Sequence, residues 1–219
     1  MTNAGGDHSA AAPTSSLSEH VRAFSVGARV TAAAFLDGRP ALGLGDGAVL
    51  IGEPGALTRV EAHPGGAVLA WASDGKRLFT GGDDGRVVSM SADGAAVEIA
   101  NEKGRWIDAL ATRGGAIAWA AGREARAKDA SGAVKTFSAP STVRGMTFLP
   151  KGYRLALAHY NAVSLWFPNV AAEPVALEWK GSHLDVVASP DGRFVVSSMQ
   201  ENALHGWRLA DARNMRMTG

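Results

Sequence analysis

The sequence predicts an all-β fold made of one small antiparallel unit repeated along the chain, and three observations predict it. Short apolar runs alternate with Asp-Gly turns, as in Leu78-Phe79, then Gly81-Gly82-Asp83-Asp84-Gly85, then Val87-Val88. Glycines at the first turn of each unit (Gly38, Gly75, Gly114, Gly152 and Gly192) recur every 37 to 40 residues. Helical periodicity is missing over almost the whole chain.

The turns define each unit. Gly, Asn and Asp are the residues that sit easily at positive φ, which a tight hairpin requires. A second turn follows the first by about ten residues, as Gly45-Asp46-Gly47, Gly82 to Gly85, His159 to Asn161 and Gln200 to Asn202. The third unit matches worst, with Gly122-Arg123-Glu124. Each unit therefore holds three clear strands and a looser fourth, in the fifth unit at 184–188, 193–198, 203–208 and 213–217. The charged stretch Arg123 to Asp129 reads as a loop, with Arg123, Arg126 and Lys128 in solvent.

A four-stranded sheet with two apolar faces cannot bury both alone. Stacking such sheets radially about an axis buries them, and a near-constant period is the mark of such repeat architectures. The expected fold is a β-propeller of four-stranded antiparallel blades with five repeats, at about 28–62, 63–103, 104–141, 142–181 and 182–218, behind a disordered leader over 1–20. Val21 to Val26 reads as an extra strand of the kind that closes a ring, yet the fifth unit already brings its own fourth strand. Two closures remain open. The chain is part of a larger, seven-bladed ring, or it is a five-bladed ring with a free or partner-completed end.

The stretches FLPKGYRLALAHYNAVSLW, SPDGRFVVSSMQENALHGW and WASDGKRLFTGGDDGRVV resemble the WD-repeat family of β-propellers. Ala- and Gly-rich repeats this regular are similar to bacterial members. The resemblance implies a structural network of a loop His, a strand Ser or Thr, a turn Asp and a third-strand Trp. On this chain it falls on His63, Thr80 and Asp84 in the second repeat, where Met90 stands in place of Trp. It falls on Trp166 in the fourth, where Tyr160 replaces the Asp, and on His183, Ser197 and Trp207 with Glu201 in the fifth. The first repeat offers Asp46, with Gly52 at the Trp place.

Composition narrows function. With 22 Lys and Arg against 21 Asp and Glu, the net charge is +1, which gives no bulk attraction for nucleic acid. No apolar run reaches the ~18 residues of a membrane helix, the N-terminus lacks a secretory signal pattern, and a cytoplasmic location is expected. There is no cysteine, hence no disulfide or thiolate chemistry. The six histidines form no paired ligand spacing, so no metal and no cofactor are expected. No Gly-x-Ser-x-Gly elbow is present, and the Gly clusters precede no helix that could bind phosphate.

The inner strands carry the remaining chemistry. Thr31, Leu69, Asp108, Arg144 and Asp185 follow the first aliphatic residue of each unit, at the expected channel mouth. Two acids flank Arg144, which is expected to lower the pKa of both. Arg105, Trp106, Asp108, Arg144 and Asp185 form the candidate partner-binding surface, since Trp and Arg anchor protein interfaces. Trp106 reads equally as packing between blades, whereas Trp71, Trp119, Trp166 and Trp207 read as core. The function expected is a noncatalytic scaffold for protein partners, with self-association if the ring is open. The alternative is a small-ligand binder or glycosidase-like enzyme using the paired carboxylates.

Overall fold

A computed structural model describes residues 16–218 apart from Arg22. Residues 1–15 of the expected leader lie outside the described residues, and Leu17–His20 forms a single 3-10 turn capped by the Ser16 hydroxyl. Three four-stranded antiparallel sheets follow in chain order. Blade one holds β1 (Val30–Leu36), β2 (Arg39–Leu44), β3 (Ala48–Ile51) and β4 (Thr58–Glu61). Blade two holds β5 (Val68–Ser73), β6 (Arg77–Gly82), β7 (Arg86–Ser91) and β8 (Ala96–Asn101). Blade three holds β9 (Ile107–Arg113), β10 (Ala116–Ala121), β11 (Glu124–Lys128) and β12 (Val134–Ser138).

The last two repeats are joined into one six-stranded sheet of β13 (Gly145–Phe148), β14 (Leu155–Trp166), β15 (Val175–Ala188), β16 (Phe194–Met199), β17 (Ala203–Arg208) and β18 (Asn214–Thr218). Strand β14 turns at Asn161, whose φ is 67°, and β15 bends at Gly181, whose φ is 135°. The first part of β15 pairs with β14 and the second part with β16, so β15 serves both repeats without a loop between them.

Two expectations are corrected here. Residues 123–129 are no loop: Glu124–Lys128 is β11, the third strand of blade three, with Ala125 and Ala127 buried. The period-2 alternation was present, but its core-facing half consists only of alanines, which carry little hydrophobic signal. The described residues of 21–26 form no strand. Val26 and Ala28 instead pack on Leu44, Ala48 and Leu50, an apolar contact rather than a backbone ladder.

Four apolar seams hold the fan together. Leu36, Ala41, Val49 and Ile51 of blade one meet Val68, Leu78, Val88 and Met90 of blade two. Ala70, Phe79 and Val87 then meet Ile107, Leu110 and Trp119. Alanines of β9 to β11 meet Met146, Phe148, Leu155 and Trp166. Ala156, Val163 and Leu177 meet Val186, Val195 and Trp207. Each large aliphatic or aromatic side chain so buried contributes about 1.5–3 kcal/mol relative to exposure. Apart from the Leu44, Ala48 and Leu50 cluster of blade one, the buried apolar clusters lie between neighbouring blades, and most of the stability resides there. The inner strands β1, β5, β9, β13 and β15 pack in series, whereas β1 does not pack on β15 in that way. The fan is open.

Candidate partner-binding site

The inner strands begin at one rim, and their first residues build the site. Each of the first three inner strands, β1, β5 and β9, starts with a bulge. Val30 and Ala32 pair with β2, Val68 and Ala70 with β6, and Ile107 and Ala109 with β10, leaving Thr31, Leu69 and Asp108 as the unpaired residues. A bulge re-aims its side chain out of the ladder. In the fifth repeat the unpaired residue is Leu184, between His183 and Asp185. Asp185 therefore stands one register position beyond the counterpart of Asp108, a shift that spacing from the turn does not reveal.

Asp108, Arg144 and Asp185 nevertheless line one cavity of about 460 Å³, together with Leu69, Trp71 and Leu184. Arg144 Nη1 donates to Asp108 Oδ2 at 3.2 Å, and Asp108 Oδ1 is buried without a partner. Burial raises the Asp108 carboxyl above its ordinary pKa and outweighs the lowering by Arg144, contrary to the sequence expectation. Desolvation wins because Arg144 is half in water, where its field is weakened. Asp185 is exposed, and its Oδ1 accepts from the backbone N–H of Val186 at 2.8 Å.

Arg105 and Trp106 lie outside that cavity, on the loop leading into β9. Arg105 donates through Nη2 to the Ala121 carbonyl. Trp106 is 64% exposed and packs between no blades. The structure thus gathers three of the five candidates and leaves an aromatic and an anchored guanidinium beside them.

The network residues are arranged differently in each blade. In blade two, His63 is fully buried; its Nδ1 donates to Asp84 Oδ1 at 2.9 Å, and Nε2 lies 2.9 Å from the Thr80 hydroxyl. Asp84 Oδ1 also accepts from Arg86 N, closing the hairpin. Asp46 makes the corresponding turn contact with Ala48 N and an ion pair with Arg59. His183 is not in a loop: it lies within β15, at the register of Val68, 2.7 Å from the Ser197 hydroxyl. Glu201 accepts from Ser182 N rather than from His183. Trp207 is buried against His183 and His205, and Trp166 stacks on Phe137 of blade three. Tyr160 is exposed, and its backbone N–H donates to Ser141.

Two further clusters escaped the sequence reading. Glu102 accepts from the indole N–H of Trp119 at 2.8 Å and pairs with Arg126 at 2.9 Å. His159, buried in β14, lies 2.8 Å from the Ser164 hydroxyl and donates through Nδ1 to the Tyr160 carbonyl. His159 and Ser164 line a second cleft, of about 840 Å³, with Tyr160 and Trp179. Among the described residues no cluster of three His, Asp or Glu side chains could hold a metal, and no helix is long and apolar enough to cross a membrane.

Comparison with known proteins fits this geometry. The WD40 family (WD domain, G-beta repeat) matches residues 56–88, a segment that contains His63, Thr80 and Asp84. Curated protein sequences give no match. The fold is similar to a chain in a solved structure described as "Crystal Structure of Mitotic Checkpoint Complex", with a TM-score of 0.69 and 21% identity. That match covers 83% of this chain and 63% of the other, so the chain spans less than two thirds of its structural neighbour. One segment of the chain thus matches the WD40 family, and the chain as a whole shares the fold of that β-propeller neighbour.

Proposed function

We propose that the chain is a noncatalytic cytoplasmic scaffold that docks a protein partner on the rim formed by Arg105, Trp106, Asp108, Arg144 and Asp185. The observation that carries the proposal is Trp106, whose indole stands 64% exposed beside the tethered Arg105. A large apolar ring held in water costs solvation and gains by burial in a partner, and Trp and Arg dominate interface hot spots. The near-neutral charge favours a protein partner over nucleic acid or a membrane surface.

A second reading is favoured by Asp108, a carboxyl raised by burial at a cavity that also contains Asp185. A raised carboxyl with a second carboxylate in the same cavity supplies the ingredients of glycoside chemistry, or of small-ligand binding.

One experiment separates them. Immobilised chain is compared with Trp106→Ala for capture of proteins, and with the double variant Asp108→Asn, Asp185→Asn for binding of a sugar panel by thermal shift. Loss of capture with Trp106→Ala, at unchanged folding, supports the scaffold. Sugar binding that the double variant abolishes, with capture indifferent to Trp106, overturns it.

A further inference from the structure

In the fourth repeat the space between the interblade loop and the sheet is filled from the sheet, and the loop side is vacated. His63 donates its backbone N–H to the Gly47 carbonyl, and Glu102 and Ala139 donate in the same way to Gly85 and Arg123. The loop position that carries an imidazole in blade two and a carboxylate in blade three therefore carries only a methyl group here.

On the strand the exchange is reversed. Gly82 follows Gly81, which pairs with Ala70, and His159 follows Ala158, which pairs with Gly145. A Cβ on Gly82 would lie 2.4 Å from His63 Nδ1, so the loop imidazole of blade two needs bare backbone beneath it. In the fourth repeat β14 supplies the imidazole itself. The next strand segment adds a hydroxyl: Ser164 lies two residues before Trp166, whereas the core residue Val88 lies two before Met90 in blade two.

The cleft of about 840 Å³ opens above this pair. Its size suits a small ligand, for which sites of about 300–1,000 Å³ are usual. His159 and Ser164 form its floor and are almost fully buried. The Nδ1–H of His159 is committed to the Tyr160 carbonyl, so Nε2 is a bare acceptor and the Ser164 hydroxyl donates to it. Ser164 Oγ keeps lone pairs for a ligand donor. Burial holds the His159 pKa below its ordinary value, so the floor carries no positive charge at neutral pH.

The walls are aromatic. Tyr160 is more than half exposed, and Trp179 is held by stacking on His205 at 4.0 Å. Glu178 and Lys180, both exposed, line the same cleft two residues apart on β15, a spacing that puts them on one side of the strand. Neither is in an ion pair among the described residues. Asn161 Oδ1 accepts from Gly181 N at 3.1 Å, which leaves its amide N–H groups as donors.

The polar lining sorts by sign. Glu178 and Ser164 Oγ accept; Lys180 and the Asn161 amide donate. One acid and one base sum to zero, so a ligand with a net charge leaves one of them unmatched, whereas a zwitterion matches both. Aromatic faces favour an ammonium and an apolar side chain alike.

We propose that this cleft binds a free amino acid with a large apolar side chain. Glu178 and Ser164 hold its ammonium, Lys180 and Asn161 its carboxylate, and Tyr160 and Trp179 its side chain. The site is separate from the rim proposed above, none of whose five residues lines the cleft.

Titration calorimetry of the full chain with L-phenylalanine and L-leucine tests the proposal. At least one binds with a dissociation constant of about 1 mM or less, and its amine and acid analogues (phenethylamine and hydrocinnamate, or isoamylamine and isocaproate) bind about tenfold more weakly. Glu178→Gln and Lys180→Met, at exposed positions, keep the near-ultraviolet spectrum and each weaken the amino acid about tenfold. Their effects separate: Glu178→Gln leaves the affinity of the acid analogue as it was, and Lys180→Met that of the amine analogue. Absence of binding and of any thermal shift with both amino acids at about 10 mM, some ten times the dissociation constant of a millimolar ligand, overturns the proposal. So does an amine analogue that binds as tightly as its amino acid, and so does amino-acid binding indifferent to both substitutions.

Discussion

The indole N–H of Trp119 reaches Glu102 across 2.8 Å, in the place where Thr80 meets His63 one blade earlier. The equivalence is positional. Trp119 pairs with Leu110 as Thr80 pairs with Trp71. Glu102 precedes Ile107 by the same interval as His63 precedes Val68, and both donate their backbone N–H to a turn glycine, Gly85 and Gly47. Two chemically different pairs thus perform one task, tying the loop between blades to the second strand of the next.

That tie makes Glu102 costly to remove. Its carboxylate serves both Trp119 and Arg126, and all three are largely buried. Glu102→Ala leaves an indole N–H and a guanidinium without their acceptor, at a cost of about 2–4 kcal/mol. Glu102→Gln keeps an acceptor for Trp119 but gives up the ion pair, and should cost less than half as much. Urea denaturation measures both; equal losses for the two variants would show that only the charge matters.

Most of the architecture was legible because the turn residues are chemically obligatory. Gly38, Gly75, Gly114, Gly152 and Gly192 all adopt positive φ, and they mark the repeats. What the sequence hid has local causes. Strand β11 was masked because Ala125 and Ala127 bury too little surface to betray alternation between charges. Glu102 was masked because an acid stands where blade two has His63, and a tryptophan where it has the Thr80 hydroxyl. The offset of Asp185 against Asp108 depends on where a bulge falls, and that is settled by ladder pairing rather than by spacing. Asp108 and Arg144 could be placed together because both lie at the starts of adjacent inner strands, but the burial that controls Asp108 is a tertiary property.

Acid should weaken the fold through its buried histidines. His205 is fully buried between Trp179, 4.0 Å away, and Trp207, with no partner on either ring nitrogen. Burial first, then the charges of His183 and Arg216, hold its pKa below the ordinary 6.5. His159 is lowered too, mainly by burial. The sign follows from linkage. Above the ordinary value both native and unfolded chains hold these rings neutral, and no stability is at stake. As pH falls below it, the unfolded chain binds protons that the native state refuses, so stability is lost by up to about 1.4 kcal/mol per pH unit for each ring. His205→Phe keeps the aromatic stack and should flatten that acid limb between pH 6.5 and 5. Urea midpoints at several pH values decide the matter; parallel curves for the two proteins would assign the acid sensitivity elsewhere.

Gly81 and Ser198 occupy the same register in different blades and should respond oppositely to added bulk. A Cβ at Gly81 would press to 2.4 Å on Ile107 Cγ2 and to 2.8 Å on its carbonyl oxygen, and the backbone cannot yield without moving β9. Gly81→Ala therefore costs about 1–3 kcal/mol by overpacking. At Ser198 no described strand stands opposite, so Ser198→Val should change the stability of the isolated chain by less than about 0.5 kcal/mol. Urea denaturation of the two variants measures both effects. If Ser198→Val instead destabilises the chain as much as Gly81→Ala, the position is already packed against a neighbour within the chain.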